Sequence, residues 1–83
     1  MKIIDRFGTI KYYDSDKLLH RDEGPALEYK NGEKYWLQHG KFHRLDGPAF
    51  EFQDDKSWYF NGKAIPVKSQ EQFERYIKLM VFI

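Results

Sequence analysis

The chain has 83 residues, and its 14 Lys and Arg against 13 Asp and Glu give a formal net charge of +1. A chain of this length forms one small domain, and its nearly neutral charge argues against the strongly basic surface typical of nucleic-acid-binding domains. It has no cysteine, which excludes disulfides and thiolate zinc sites. Aromatic residues make up 18% of the chain, so we expect them to supply most of the core.

The amino-terminal stretch MKIIDRFG lacks the apolar segment of a signal peptide. No apolar run approaches the roughly 18 residues that a transmembrane helix needs. We therefore expect a cytoplasmic protein that does not interact with a membrane.

The chain repeats itself. The segment HRDEGPALEYKNGEKYWLQHGK (20–41) aligns with HRLDGPAFEFQDDKSWYFNGK (43–63), and the shared residues keep their order. A partial copy, GTIKYYDSDKLLH (8–20), precedes them. The sequence thus predicts one domain over 1–83, with a half-repeat at 8–19 and repeats at 20–42 and 43–65.

Each repeat has the pattern of β-strands. The segments ALEY and AFEF alternate small or charged residues with large apolar ones, and Asn31-Gly32 is a strong hairpin-turn signal. The predicted fold is α+β and mainly β, an antiparallel meander of about two and a half hairpin repeats with one carboxy-terminal helix. The predicted strands lie near 2–7, 9–13, 17–19, 26–30, 34–38, 41–43, 49–53, 57–60 and 63–65.

The apolar period changes near the carboxyl end. Ser69 is a good helix N-cap, and Gln72 three residues later completes a capping-box pattern, so we predict a helix over 69–80 that lies on a sheet face or over its edge. The apolar tail LMVFI (79–83) is expected to be core if buried and a contact patch if exposed. The predicted apolar face of the helix consists of Phe73, Tyr76, Ile77 and Met80.

The phrase HR-x-DGPA followed by W-Y-x-NG-K resembles a repeat of small proteins from bacteriophages and large DNA viruses. In layout it is similar to MORN-type and YwqK-type repeats, which are stacked β-hairpins. The resemblance covers residues 8–65; the first copy departs from it at Asp22-Glu23, and the helix lies outside it. It implies an interaction scaffold, often described as antitoxin-like, with no catalytic residue set. A phage origin would favour a counter-defence role, such as blocking a host toxin or nuclease.

The polar residues of the repeated phrase are expected to shape a turn. His20 and His43 recur one repeat apart, roughly 10 Å if two strands intervene, which is too far to share one zinc ion. Asp46 is expected to accept turn amides, while Gly47 and Pro48 lead the chain into a strand. His39 needs only to tolerate a positive φ. We predict no metal, no cofactor and no catalytic residue.

Two further residue sets recur with the repeat. Glu28 and Glu51 occupy equivalent strand positions, and a surface ladder with Lys34 and Lys56 is a simpler explanation than a pair of catalytic carboxylates. Adjacent aromatic residues should point to opposite faces of the sheet, so one face is expected to show an aromatic stripe flanked by basic residues. The residues predicted to contact a partner are Arg21, Arg44, Tyr13, Tyr35, Trp36, Trp58 and Tyr59.

Three uses of these residues stay open: cross-strand packing, binding of a protein, and stacking of RNA bases. The leading hypothesis is a non-enzymatic module that inhibits a host protein in the host cytoplasm. The alternative is a protein that binds RNA or a toxin–RNA complex. An enzyme that uses His43 with Asp46 or Glu51 ranks last. A homodimer through the KIID strand (2–5) or the apolar tail is also expected.

Overall fold

The computed structural model describes residues 1–81 as an antiparallel meander followed by one helix. The strands are β1 (Lys2–Ile4), β2 (Ile10–Tyr12), β3 (Leu27–Glu28), β4 (Lys34–Tyr35), β5 (Leu37–Gln38), β6 (Lys41–Phe42), β7 (Phe50–Phe52), β8 (Asp55–Phe60) and β9 (Lys63–Ile65). The helix α1 spans Gln70–Val81. The predicted α+β, mainly β class is therefore confirmed.

Seven strands form one sheet in the order β1-β2-β3-β4-β7-β8-β9, and β5 pairs with β6 in a separate hairpin. The described chain measures 44 × 30 × 17 Å, so most of it is a single layer of sheet. Among residues 1–81, no helix has the length and apolar character that would carry it across a membrane.

The structure departs from the predicted strands in two places beyond differences at strand ends. Residues 17–19 form no strand; Leu19 makes one bridge to Tyr13. The cause is local, because Asp14 accepts the amides of Asp16 and Leu18 and Lys17 takes a positive φ of 64°, which closes a tight turn instead.

The predicted strand over 34–38 breaks at Trp36. Its amide donates to Ala49 O, just before β7, at 2.7 Å, whereas its carbonyl accepts from His43 N, just after β6, at 3.0 Å. The chain therefore leaves the main sheet after β4, and β5 pairs with β6 instead. Two further strands differ from the prediction at one end. β1 stops at Ile4 instead of residue 7, and β8 begins at Asp55, two residues earlier than predicted.

The N-cap of the helix is Ser69, as predicted, but the second hydrogen bond of the predicted capping box is made to a different residue. Ser69 Oγ accepts from Gln72 N at 3.2 Å, as expected for an N-cap. Gln72 does not return to Ser69, since its side-chain oxygen accepts from Lys68 N at 2.8 Å. Leu79, in the apolar tail, is exposed, and residues 82 and 83 of that tail lie outside the described residues.

The main core lies at one end of the sheet. Trp58 of β8, Ile65 of β9 and Phe73 of α1 are buried together, and Tyr76 and Ile77 pack against them. The helix therefore covers one face of the sheet at its β8–β9 end, which is one of the two placements that the sequence predicts. Gln70 secures this contact because its side-chain oxygen accepts from Trp58 Nε1 at 2.9 Å.

Candidate functional site

The two faces of the sheet carry different side chains. Trp58 points toward the helix, so alternation along β8 places its neighbour Tyr59 on the opposite face. Tyr35 pairs with Leu27 on one side and with Phe50 on the other, which places these three residues on one face. Tyr59 contacts Phe42 and Phe42 contacts Tyr35, so the face that carries them is the one opposite α1.

An aromatic row runs across this face, and we define it as Tyr29, Tyr35, Phe42, Phe50 and Tyr59. The centroid of the Tyr35 ring lies 5.8 Å from that of Tyr29, 5.0 Å from that of Phe50 and 5.9 Å from that of Phe42. The centroids of Phe42 and Tyr59 lie 5.0 Å apart. Tyr29 is 41% exposed and the other four rings are half-buried. The row is thus a continuous apolar surface that solvent reaches.

Tyr35 at the centre of the row is fixed in orientation. Its hydroxyl donates to Glu33 Oε2 at 2.7 Å, and Asn31 donates to the other carboxylate oxygen at 2.7 Å. The bond to Glu33 and partial burial raise the pKa of Tyr35 to about 12. Hydrogen bonds from Asn31 and then from Tyr35 lower the pKa of Glu33. The ring is therefore neutral and preorganised, as in binding sites where a rigid aromatic anchor loses little entropy.

The two predicted arginines lie on the other face, where they brace the repeated turns. The Arg44 guanidinium carbon lies 3.8 Å from the centre of the Trp36 ring, and Arg44 Nη1 donates to Pro48 O at 3.1 Å. Arg21 repeats the arrangement over Tyr12 at 4.0 Å, with Nη1 donating to Pro25 O at 3.4 Å. The expectation that these arginines flank the exposed aromatic stripe is therefore wrong.

The remaining predicted partner residues are divided between the faces. Trp36 is half-buried beneath Arg44, and Trp58 is 5% exposed beneath the helix. The prediction that Trp58 contacts a partner is wrong for this structure, because α1 covers its ring. Tyr13 is half-buried at the bridge to Leu19. Tyr35 and Tyr59 are the predicted residues that the structure brings into the aromatic row.

The histidines of the repeated phrase tie one turn to the next. His20 Nδ1 accepts from His39 N at 3.0 Å, and His43 Nδ1 accepts from Asn61 N at 3.0 Å. The equivalence of residues 39 and 61 in the alignment therefore has a physical cause, since both donate their amide from a positive-φ turn position. These bonds fit the predicted turn role of His20 and His43.

Sequence reasoning missed one cluster near the first of these turns. Asp14, His20 and His39 each offer a potential ligand atom, and these atoms lie within 4.8 Å of one another. His39 Nδ1 donates to Asp14 Oδ2 at 2.7 Å. The amide of Leu18 and then the His39 ring lower the pKa of Asp14. No local sequence signal marks the cluster, because Asp14 and His39 are 25 residues apart and meet only in the folded turn.

Hydrogen bonding in this cluster opposes a metal centre. Because His20 Nδ1 accepts a backbone amide, its Nε2 carries the proton, which it donates to Asp22 Oδ1 at 3.1 Å. A metal ligand needs a free nitrogen lone pair, and neither nitrogen of His20 has one in this arrangement. Metal binding at His20 Nδ1 would have to break its hydrogen bond from His39 N. The equivalent bond in the second repeat joins Asn61 N to His43 Nδ1. The cluster is better explained as a hydrogen-bonded turn.

A loop cleft of about 570 Å³ lies between the two repeated turns. Arg21, Asp22, Arg44 and Asp46 border it, so its charges are mixed. Asp46 accepts from Arg44 Nε at 3.0 Å instead of capping turn amides as predicted. Such a cleft has no concentrated charge that would select an anion or a cation.

Gly47 has a role that the sequence did not reveal. A Cβ atom at this position would lie 2.5 Å from Arg44 Cζ, and one at Gly24 would lie 2.9 Å from Arg21 Cζ. Each glycine therefore allows a guanidinium group to lie directly against the backbone, and a Cβ atom there would displace that group. Pro48 follows Gly47 and supplies the carbonyl that Arg44 binds.

The repeated glutamates occupy the ladder that the sequence predicts. In the register of neighbouring strands, Glu28 lies opposite Lys34, Lys34 opposite Glu51, and Glu51 opposite Lys56. Glu51 also lies 3.5 Å from Arg44 Nη1. Alternating opposite charges at paired strand positions stabilise a sheet, so the ladder has a structural explanation.

No protein-family model matches this chain, and neither does any curated protein or solved structure. The similarity of residues 8–65 to MORN-type and YwqK-type repeats therefore stays a prediction from the motif alone.

Proposed function

We propose that the chain is a non-enzymatic protein-interaction module that binds a partner protein through the aromatic row. The observation that carries the proposal is the continuous, solvent-accessible set of contacting rings on the face opposite the helix. Aromatic anchors in such patches dominate the energy of many protein interfaces. On the motif resemblance, we further propose a phage-encoded inhibitor that acts on a host toxin or nuclease in the host cytoplasm.

The distribution of charge favours a protein over RNA. Single-stranded RNA binders place basic side chains beside their stacking rings, because phosphates supply much of the affinity. Here Arg21 and Arg44 lie on the opposite face, and Arg44 is paired with Asp46. Lys11, which alternation puts on the same face as the row, lies 3.8 Å from Asp5. Within residues 1–81, the aromatic row therefore lacks the line of unpaired basic side chains that would bind the phosphates of RNA.

The state of His43 supports a non-enzymatic role. Its Nδ1 is occupied by the Asn61 amide, and burial lowers its pKa, so the neutral ring keeps its proton on Nε2. A general base needs a free lone pair. Asp46 and Glu51, the carboxylates weighed as its catalytic partners, both contact Arg44 instead.

Site-specific photo-crosslinking in a bacterial host lysate tests the proposal. We expect a photoreactive phenylalanine analogue at position 59 to capture a discrete protein, because this ring ends the aromatic row. The same analogue at Leu79, an exposed apolar position on the helix, is the matched control. Capture of the same proteins in equal yield at both positions, or of none at position 59, would contradict the proposal.

RNA binding is the second candidate, and the accessible tyrosine rings favour it because bases stack on such rings. It predicts that a single-stranded RNA oligonucleotide binds with an affinity that falls steeply as salt rises. A Tyr59→Ser variant should weaken that binding. Absence of a salt-dependent shift for the wild-type protein would remove this candidate and leave the protein-interaction proposal intact.

A further inference from the structure

We propose that β1 pairs with β1 of a second copy of the chain, in antiparallel register about a two-fold axis at Ile3. β1 is one edge of the seven-stranded sheet. Its partner on the inner side is β2, with Ile3 opposite Lys11 and Ile4 opposite Ile10. The outer side has no partner strand among residues 1–81, so its backbone groups are available for pairing.

The hydrogen-bond pattern identifies those groups. Met1 and Tyr13 bond to each other, and Asp5 N donates to Thr9 O at 3.0 Å. Antiparallel strands alternate bonded and non-bonded pairs, so Ile3 also bonds toward β2. Lys2 and Ile4 therefore direct their N–H and C=O groups outward. The Tyr12 amide agrees with this pattern, because it donates to Ala26 O on the other side of β2.

Exposed apolar side chains concentrate at the same edge. Of the eight large hydrophobic residues that are exposed in the described chain, four lie within the first seven positions. Ile3 is 41% exposed, Ile4 59% and Phe7 67%. An apolar edge strand with open hydrogen-bonding groups is a template for strand addition, and natural sheets usually protect it with charge, proline or a covering element.

The edge is self-complementary. With Ile3 opposite Ile3 of the second copy, Lys2 lies opposite Ile4 in both directions, and each of these pairs exchanges two N–H···O bonds. The aliphatic part of Lys2 can then lie along Ile4, which keeps its ammonium group in water. Like charges are not placed directly opposite each other in this register.

The opposite edge does not offer the same surface. β9 carries Lys63, ends at Ile65 and is followed by Pro66, which has no amide proton to donate. Pairing of β1 with β9 of another copy would be head-to-tail and would extend into an open filament. Pairing of β1 with itself closes after two copies, so a second copy in the two-fold arrangement is the occupant that we propose.

The arrangement fixes the relative orientation of the two copies. The two-fold axis of an antiparallel strand pair with this register is perpendicular to the sheet, so corresponding faces of both copies lie on the same side. Two aromatic rows would then be presented together. This last consequence rests on the proposed function, whereas the dimer itself does not.

Cysteine cross-linking tests the register in the full chain, which has no native cysteine. An Ile3→Cys variant places two thiols at a non-hydrogen-bonded pair, where Cα atoms lie about 4.5 Å apart and a disulfide fits. We expect most of this variant to become a covalent dimer under mild oxidation.

The matched control is Ile4→Cys, whose thiol is the more exposed of the two. In the proposed register, position 4 of one copy lies opposite Lys2 of the other. The two thiols at position 4 are therefore offset by two residues, roughly 7 Å along the strand, which is beyond disulfide reach. We expect at least a tenfold lower yield of covalent dimer. Equal yields, a higher yield from Ile4→Cys, or a monomeric mass of the wild-type protein in sedimentation equilibrium at about 100 µM would overturn the proposal.

Discussion

Arg44 is held on both faces of its guanidinium group. The Trp36 ring lies 3.8 Å away on one side, and the backbone of Gly47 leaves no space for a Cβ atom on the other. Contacts to Pro48 O and to the carboxylates of Asp46 and Glu51 complete the arrangement. The sequence motif Arg-x-Asp-Gly-Pro thus encodes one packed unit, and the earlier expectation that Arg44 meets a partner stays untested.

A double-mutant cycle tests this unit. We expect Arg44→Ala to lower the free energy of unfolding by about 1–3 kcal/mol, through loss of the cation–π contact and the hydrogen bond to Pro48 O. Gly47→Ala should lower it by a similar amount, because its methyl group displaces the guanidinium. In the double variant the second change should be nearly neutral, giving a coupling energy of about 1 kcal/mol or more.

Urea denaturation measures these effects, and Arg75→Ala on the exposed helix surface is the control. Additive losses from Arg44→Ala and Gly47→Ala would contradict the packed unit. A free energy of unfolding unchanged by Arg44→Ala would point instead to the binding role that the sequence first suggested.

The pH dependence of stability follows from His43. Burial lowers the pKa of His43 in the folded state below its ordinary value of 6.5, so the unfolded chain takes up a proton first as the pH falls. The contribution of the neutral ring is therefore complete above pH 6.5 and decreases as the pH falls through the folded-state pKa. Protonation also replaces the Nδ1 acceptor of the Asn61 amide with a donor.

We expect the free energy of unfolding to fall between pH 7 and pH 5, and His43→Asn to make this fall smaller. Urea denaturation at a series of pH values, with His39→Asn as the control for an exposed histidine, measures both slopes. The same slope in the wild-type and His43→Asn proteins would show that this ring does not act as described.

The helix is joined to the sheet by a polar bridge as well as by apolar packing. Gln70 accepts from the indole N–H of Trp58 and donates to Leu45 O at 2.9 Å. Because Trp58 is buried, loss of this acceptor leaves its N–H without a partner. The bridge therefore links β8, α1 and the second repeated turn.

We expect Gln70→Ala to lower the free energy of unfolding by about 1–3 kcal/mol, with a red shift and broadening of tryptophan fluorescence as water reaches the indole. Lys78→Ala, farther along the exposed side of the same helix, should change neither quantity. Thermal unfolding and fluorescence spectra check the prediction; a Gln70→Ala protein as stable as the wild type would contradict it.

The elements that depend on short-range patterns could be predicted, and those that depend on long-range pairing could not. The helix followed from the Ser69 cap and the spacing of Phe73, Tyr76 and Ile77. The break at Trp36 could not be foreseen, because its amide bonds beside β7 of the main sheet and its carbonyl bonds beside β6 of the separate hairpin. The charge ladder was predicted from the repeat, whereas the cluster of Asp14 with His39 required the folded turn.

At the scale of the whole molecule, thinness is the property that matters for function. A chain only 17 Å thick cannot bury both faces of its sheet, and the helix covers one face at one end. The sequence predicted that one aromatic of each adjacent pair would face outward but did not assign the faces. That assignment depends on which side the helix takes, which no local pattern specifies.

The central claim is that the aromatic row is the binding surface, and the affinity of the captured partner for purified variants tests it most directly. We expect Tyr59→Ser, at the open end of the row, to weaken binding at least tenfold in calorimetry, as a hot-spot aromatic does. Leu79→Ser, which removes an exposed apolar side chain from the helix, should leave the affinity unchanged. A folded Tyr59→Ser protein, verified by circular dichroism, that binds as tightly as the wild type would contradict the claim.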